Sequence, residues 1–110
     1  MSASAEYLAY LAELLAPLGR IRTKRMFGGA GIYCEELFFA IVIDDVLYLK
    51  VDDESRAAFE AEGLEPFRYE AKGKLMQMNY YRAPDEALES PALMQPWARD
   101  ALAAALRARK

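Results

Sequence analysis

Arg25-Met26-Phe27-Gly28-Gly29-Ala30-Gly31-Ile32-Tyr33 puts three glycines within four positions at the start of an apolar run, and the reading of that stretch decides the fold. A phosphate-binding loop of the Walker type closes with Lys-Ser or Lys-Thr at the amino end of a helix, where the anion sits. Here Gly31 is followed by Ile32, Tyr33 and Cys34, and a dinucleotide fingerprint fails for the same reason. What remains is a stretch with almost no side chains, suited to positive φ, a bulge, or close approach of another backbone. Gly28, Gly29 and Gly31 therefore read as a structural kink, with close approach of a ligand as the second reading.

Outward from the glycines, hydrophobic periodicity supplies the elements. Tyr7, Leu8, Leu11, Leu14, Leu15 and Leu18 recur at helical spacing, so residues 4–18 form an amphipathic helix with Pro17 in its last turn and Gly19 as its cap. Strands follow at Ile21–Phe27, Ala30–Cys34, Leu37–Ile43 and Val46–Val51, with Asp44 and Asp45 turning the chain. The third is apolar on both faces, which makes it central. Asp52 or Asp53 caps a helix over Glu54–Glu62 that packs through Ala57, Ala58, Phe59 and Ala61, with Gly63 just past its end. Phe67–Glu70 and Leu75–Arg82 flank Ala71-Lys72-Gly73-Lys74, a hairpin turn. Pro84 and Asp85 break the chain and Ser90-Pro91 caps a helical segment. Pro96 starts the last helix afresh, with Trp97, Ala101, Leu102, Ala105 and Leu106 as its buried stripe. The order α-β-β-β-β-α-β-β-α predicts a two-layer α+β domain over residues 1–110, one mostly antiparallel sheet with helices packed over it.

Composition limits function. The chain is 55% hydrophobic with a formal net charge of −3 and a pI near 5.0. That balance argues against a bulk polyanion binder while leaving room for a local basic patch. No apolar run approaches membrane-spanning length, and Met1-Ser2-Ala3-Ser4-Ala5-Glu6 lacks the features of a secretory signal. The expectation is a cytoplasmic protein without membrane partners.

The chain has no histidine, which removes the usual general base, the Ser-His and Cys-His nucleophile pairs, and the commonest metal ligand. The single cysteine, Cys34, stands beside Glu35 and Glu36, whose charges oppose thiolate formation. It reads as a structural thiol. The acid groups Glu35-Glu36, Asp44-Asp45 and Asp52-Asp53-Glu54 read as solvated turn carboxylates, since neighbouring residues on a turn do not converge on a metal without spaced partners. No catalytic residue, cofactor or metal is expected.

Binding features are confined to two strands. Arg20, Arg22, Lys24 and Arg25 place four cations in six residues, and strand alternation sets Arg20, Arg22 and Lys24 on one face opposite Ile21 and Thr23. This stripe is either a solvated edge kept unpaired by charge or a surface for phosphate or a partner. On the last strand Met76, Met78 and Tyr80 share a core-like face, while Gln77, Asn79 and Tyr81 share a half-polar one. Tyr81 with the stripe cations makes a candidate nucleic-acid surface, against which the Tyr and Met residues read as packing.

Taken together, Arg25 to Tyr33, Phe39-Ala40, Leu47-Tyr48-Leu49-Lys50, Phe59, Gly63, Pro66-Phe67, Tyr69, Gly73-Lys74, Met78, Tyr80-Tyr81 and Pro84 resemble the amino-terminal domain of the TfoX/Sxy competence regulators, from about Tyr7 to about Ala105. The resemblance implies a five- or six-stranded antiparallel sheet and a role in turning on DNA-uptake genes together with the cyclic-AMP receptor protein. It brings no enzymatic activity and no established ligand residues. Two departures stand out: the longer regulators carry a second, helical domain beyond the point where this chain ends at Lys110, so it reads as a stand-alone module. Glu36 also occupies a turn position often held by glycine in the family, which suggests a different hairpin geometry. The leading functional expectation is a regulatory module acting through protein contacts, with nucleic-acid binding by the Arg20–Arg25 stripe as the alternative. Either an exposed sheet edge or the last helix offers a homodimer surface, and a monomer uses the same residues for its core.

Overall fold

A computed structural model of the chain describes residues 3–26 and 28–109. Met1, Ser2, Lys110 and Phe27, the last expected at the end of the first strand, lie outside the described residues. The elements are α1 (Ala5–Leu15), a 3₁₀ turn (Ala16–Leu18), β1 (Ile21–Met26), β2 (Gly29–Cys34), β3 (Leu37–Ile43), β4 (Val46–Lys50), α2 (Arg56–Ala61), β5 (Pro66–Ala71), β6 (Lys74–Arg82), a second 3₁₀ turn (Asp85–Glu89) and α3 (Pro91–Ala108). The strands form one six-stranded sheet in the order β1-β2-β3-β4-β6-β5, antiparallel at every pairing. This is the α+β architecture and element order expected from periodicity.

Three of the hairpins turn on residue pairs with positive φ: Glu35 and Glu36 (49° and 68°), Asp44 and Asp45 (53° and 57°), and Lys72 and Gly73 (53° and 78°). Two-residue turns of this mirror type match the right-handed twist of the flanking strands. Glu36 thus takes the left-handed conformation that glycine favours, at a position where glycine's absence suggested a different turn. Its carboxylate then meets Arg22 Nη2 at 2.8 Å and Nε at 3.3 Å.

The glycine run acts where β2 meets β3. A Cβ on Gly29 would lie 2.1 Å from the Val42 carbonyl oxygen and 2.7 Å from Ile43 Cδ1. The neighbouring backbone therefore approaches as the sequence suggests, and only hydrogen fits. On Gly31 a Cβ would meet Met26 Cε and Phe38 Cε1, each at 2.8 Å, so its bareness lets those two side chains close over β2. Gly28 has open space around it and needs glycine only for its φ of 74°. One step along, Ile32 pairs with Ala40 and Tyr33 with Phe38, leaving Phe39 as the extra residue of a β-bulge. Phe39 and Ala40 consequently both enter the core, while Phe38 and Ile41 face the opposite side of the sheet.

The helices cover one face only. Leu8, Leu11, Leu14 and Leu15 of α1 join Ile32, Cys34, Val42, Leu47 and Leu49 of the sheet in one apolar cluster, closed by Met94, Ala98, Ala101 and Ala105 of α3. Ser4 caps α1 by accepting from the Tyr7 amide, and Ser90 caps α3 by accepting from Ala92 and Leu93. Pro96 does not start a new helix. It lies inside α3 with its ring exposed, where water can satisfy the carbonyl freed by its missing N–H. Continuity from Pro91 brings Met94 into the buried stripe, with Ala101 and Ala105 buried as expected, Trp97 and Leu102 half-buried, and Leu106 out in solvent. α2 is shorter than expected and anchors through Phe59 alone, leaving Ala57, Ala58 and Ala61 exposed. Phe59 meets Trp97 at 4.9 Å and Tyr81 at 6.0 Å between ring centroids. Asp52, just ahead of α2, accepts from Arg107 Nε at 2.6 Å and Nη2 at 3.0 Å, tying the end of α3 to the end of β4.

Three single substitutions grade these roles by urea unfolding. Gly28→Ala is expected to cost about 1–2 kcal/mol through backbone strain alone, Gly31→Ala about 1–3 kcal/mol through overpacking, and Gly29→Ala more than either, because a carbonyl oxygen rather than a side chain blocks the new methyl. Equal costs at all three would contradict this assignment.

Candidate functional site

The face of the sheet that carries no helix is rich in aromatic and sulfur side chains. β3 contributes Phe38, Ile41 and Ile43; from the two edges come Met26 of β1 and Phe67 and Tyr69 of β5; β6 adds Met78 and Tyr80, and with Ala30 of β2 these line a cavity of about 420 Å³. β1 and β5 are the opposite edges of the sheet, which in a flat sheet would stand about 24 Å apart at the usual strand spacing. Residues from both edges reach one cavity, so this face is strongly concave.

Two aromatic groups form its surface. Tyr33 stacks on Phe38 at 5.0 Å and Phe38 meets Tyr80 at 6.2 Å. Tyr48 meets Phe67 edge-on at 5.1 Å and Phe67 stacks on Tyr69 at 6.2 Å. Two cations lie over these rings: the Arg22 guanidinium sits 4.4 Å from the Tyr33 centroid and Lys50 Nζ sits 5.2 Å from that of Tyr80. Tyr80 is 5% exposed, and burial pushes its phenol up to about 12, with the neighbouring Tyr33 adding to the shift. Beyond the cavity the apolar surface runs out along the β5–β6 hairpin, where Tyr69 pairs with Met76 and both are 43% exposed.

The sequence-derived site residues fall into three places. Arg22 and Lys24 lie along the outer strand β1 as alternation required, with Arg20 just ahead of it, but Glu35 accepts from the Arg20 amide at 2.8 Å and Glu36 holds Arg22 through two hydrogen bonds. Arg25 leaves this row and donates to the Ala3 carbonyl. Tyr81 is buried on the helix side, its hydroxyl donating to Glu60 Oε2 at 2.7 Å, and so does not join the cations. The face of β6 read as core, Met76-Met78-Tyr80, is the helix-free one, and Tyr81 belongs to the face that the helices cover. Cys34 is fully buried, and its thiol is pushed up first by burial and then by Glu35. Among the described residues no three metal-ligating side chains converge, and no helix is long and apolar enough to cross a membrane.

The glycine run at the β2–β3 contact, the Leu47-Tyr48-Leu49-Lys50 strand and the Tyr80-Tyr81 exit are thus built into one sheet. In comparison with known proteins, the chain matches the TfoX N-terminal domain over residues 13–105. It belongs to the TfoX N-terminal domain family. The DNA transformation protein TfoX1 of Aliivibrio fischeri is 32% identical over 85 residues, which are 77% of this chain and 41% of that protein. Protein Sxy of Escherichia coli is 33% identical over 76 residues, 69% of this chain and 36% of that protein. The matched region is less than half the length of either relative.

In this TfoX-type domain the cavity residues that sequence reading missed carried a signal. Phe67 and Tyr69 alternate with Arg68 and Glu70, as Met76, Met78 and Tyr80 alternate with Gln77 and Asn79. Both patterns mark a one-sided apolar face without saying which side the helices take. A raised phenol stabilises the fold fully below the unfolded tyrosine value near 10, and that contribution is lost as pH rises from there through about 12. Thermal melts between pH 9 and 11.5 should therefore show falling stability for the wild type. Tyr80→Phe should flatten that decline; an unchanged alkaline slope would deny Tyr80 its part.

Proposed function

We propose that this chain is a non-enzymatic regulatory module for DNA-uptake genes, working through contact with another protein. Membership of the TfoX N-terminal domain family supports this reading, as does similarity to a relative named a DNA transformation protein. One observation favours protein contact over nucleic acid: Arg20 and Arg22, half of the basic stripe, have Glu35 and Glu36 as ion-pair partners at 4.0 and 2.8 Å. On a chain of net charge −3 that pairing consumes the local positive field on which phosphate binding depends. The exposed apolar pair Tyr69 and Met76, each 43% exposed, is the kind of surface that protein partners cover. The contact surface on this reading is the helix-free face, with Lys24 and Arg22 at its border. Enzymatic chemistry has little to work with, since Cys34 is buried and the chain has no histidine.

The test pairs a reporter with a binding assay. In a bacterium lacking its own TfoX-type regulator, expression of this chain should raise a DNA-uptake reporter, and Tyr69→Glu with Met76→Glu should abolish the rise. Fluorescence anisotropy with labelled duplex DNA and single-stranded RNA at low salt should show weak binding. Tight binding that falls steeply with salt and disappears in Arg22→Glu, Lys24→Glu would instead establish the stripe as a nucleic-acid surface.

A further inference from the structure

The cavity on the concave face is a hollow of about 420 Å³, within the size range of small-molecule sites at about 300–1,000 Å³. Its walls come from five strands and are apolar except at the phenols of Tyr69 and Tyr80. Tyr80, the more buried of the two, is the informative one. It is 5% exposed, and its hydroxyl donates to no described residue, whereas the Tyr81 hydroxyl next to it donates to Glu60. The Tyr80 oxygen is not among the enclosed polar atoms left without a partner, so it is open to solvent and stands as a polar handle beside apolar walls.

Charge near that handle narrows what it would meet. Lys50 Nζ lies 5.2 Å from the centroid of the Tyr80 ring, which lines the cavity. Lys24 stands on β1 between Arg22, which covers Tyr33, and Met26, which lines the cavity. Arg22 is neutralised by Glu36, but neither lysine has a carboxylate within ion-pair distance among the described residues. The site therefore offers an apolar body, a phenol held in its hydrogen-donating form, and two uncommitted ammonium groups at its edge. A nucleic-acid strand fits this poorly: the walls offer almost no donors or acceptors to read base edges, and two lysines do not make a phosphate track.

We propose that the helix-free cavity binds a small amphipathic acid, an alkyl or aryl body among Phe38, Ile41, Phe67 and Met78 with its carboxylate at Lys24 and Lys50 and within reach of the Tyr80 hydroxyl. The cavity lies on the face proposed for the protein contact, but occupancy is measured on the purified chain alone, so its failure is distinguishable from failure of that reading.

Decanoate serves as the probe, with decanol as its uncharged counterpart, followed by NMR of methyl-labelled methionines. Decanoate should shift the Met26 and Met78 methyls saturably and leave Met94, buried on the helix side at 1% exposure, unmoved. Decanol should bind more weakly. Lys24→Met with Lys50→Met, both surface changes that leave the core alone, should weaken decanoate by about tenfold, the worth of a charge-assisted contact, and leave decanol unaffected. Tyr80→Phe should weaken decanoate by a smaller factor while the spectrum shows a folded protein. The proposal is overturned if Met26 and Met78 do not respond, if Met94 shifts with them, or if decanoate and decanol bind alike in wild type and lysine variant.

Discussion

β3 is apolar on both of its faces, and the chain provides helices for one. Everything distinctive about this molecule follows from that imbalance. On the first face α1 and α3 cover Phe39, Val42, Leu47 and Leu49 in the ordinary way of a two-layer α+β domain. On the second, Phe38, Ile41 and Ile43 have no layer above them and would be left in water by a flat sheet. The sheet answers by coiling until residues from its two edges share one hollow. Gly29 and Gly31 permit this at the tightest point, the first by letting the Val42 carbonyl approach and the second by letting Met26 and Phe38 meet above bare backbone. The bulge at Phe39 assists, because it switches which residues of β3 face the helices and adds local twist.

Charge is arranged around that same geometry. The acidic hairpin Glu35-Glu36 folds back beside β1, so Arg20 and Arg22 find their counter-ions within the chain. Exposed pairs of this kind add little to stability; their consequence here is electrostatic, since they leave a sequence with a conspicuous basic run with little net positive field. At the other end, Asp52 is held well below the usual carboxylate range by the Arg107 guanidinium, with Ser55 contributing. It clamps the last helix to the end of the sheet's central strands. The fold thus consumes most of its sequence-visible charge pairs internally and leaves Lys24 and Lys50 beside the concave face.

The order of elements along the chain and the hairpins were legible in the sequence because they depend on local signals: alternation, acidic turn pairs, and Gly73 at a positive-φ position. Helix ends were less so. Pro96 reads as a break in a linear pattern, yet it sits exposed within α3, where the one backbone hydrogen bond it removes faces solvent, and Met94 packs into the core just before it in the same helix. The site was the least legible part. Tyr80 and Tyr81 are adjacent and equally aromatic, and only the direction in which β6 joins β4 decides that one meets Phe59 while the other lines the cavity. Alternation identifies two faces and assigns neither of them to the helices. The basic run was legible as residues but not as a field, because its neutralisation depends on the turn that brings Glu36 across from Arg22.

The central claim is that one face of the sheet is closed by helices and the other is open and concave. Methionine oxidation mapped by mass spectrometry on the native protein tests it directly, since the described methionines sample both faces. Met76 should oxidise fastest and Met78 measurably, in line with their exposed and half-exposed positions on β6, while Met94 should remain protected until the protein unfolds. Protection of Met76 and Met78 equal to that of Met94 would mean that a further layer covers this face, and would contradict the account.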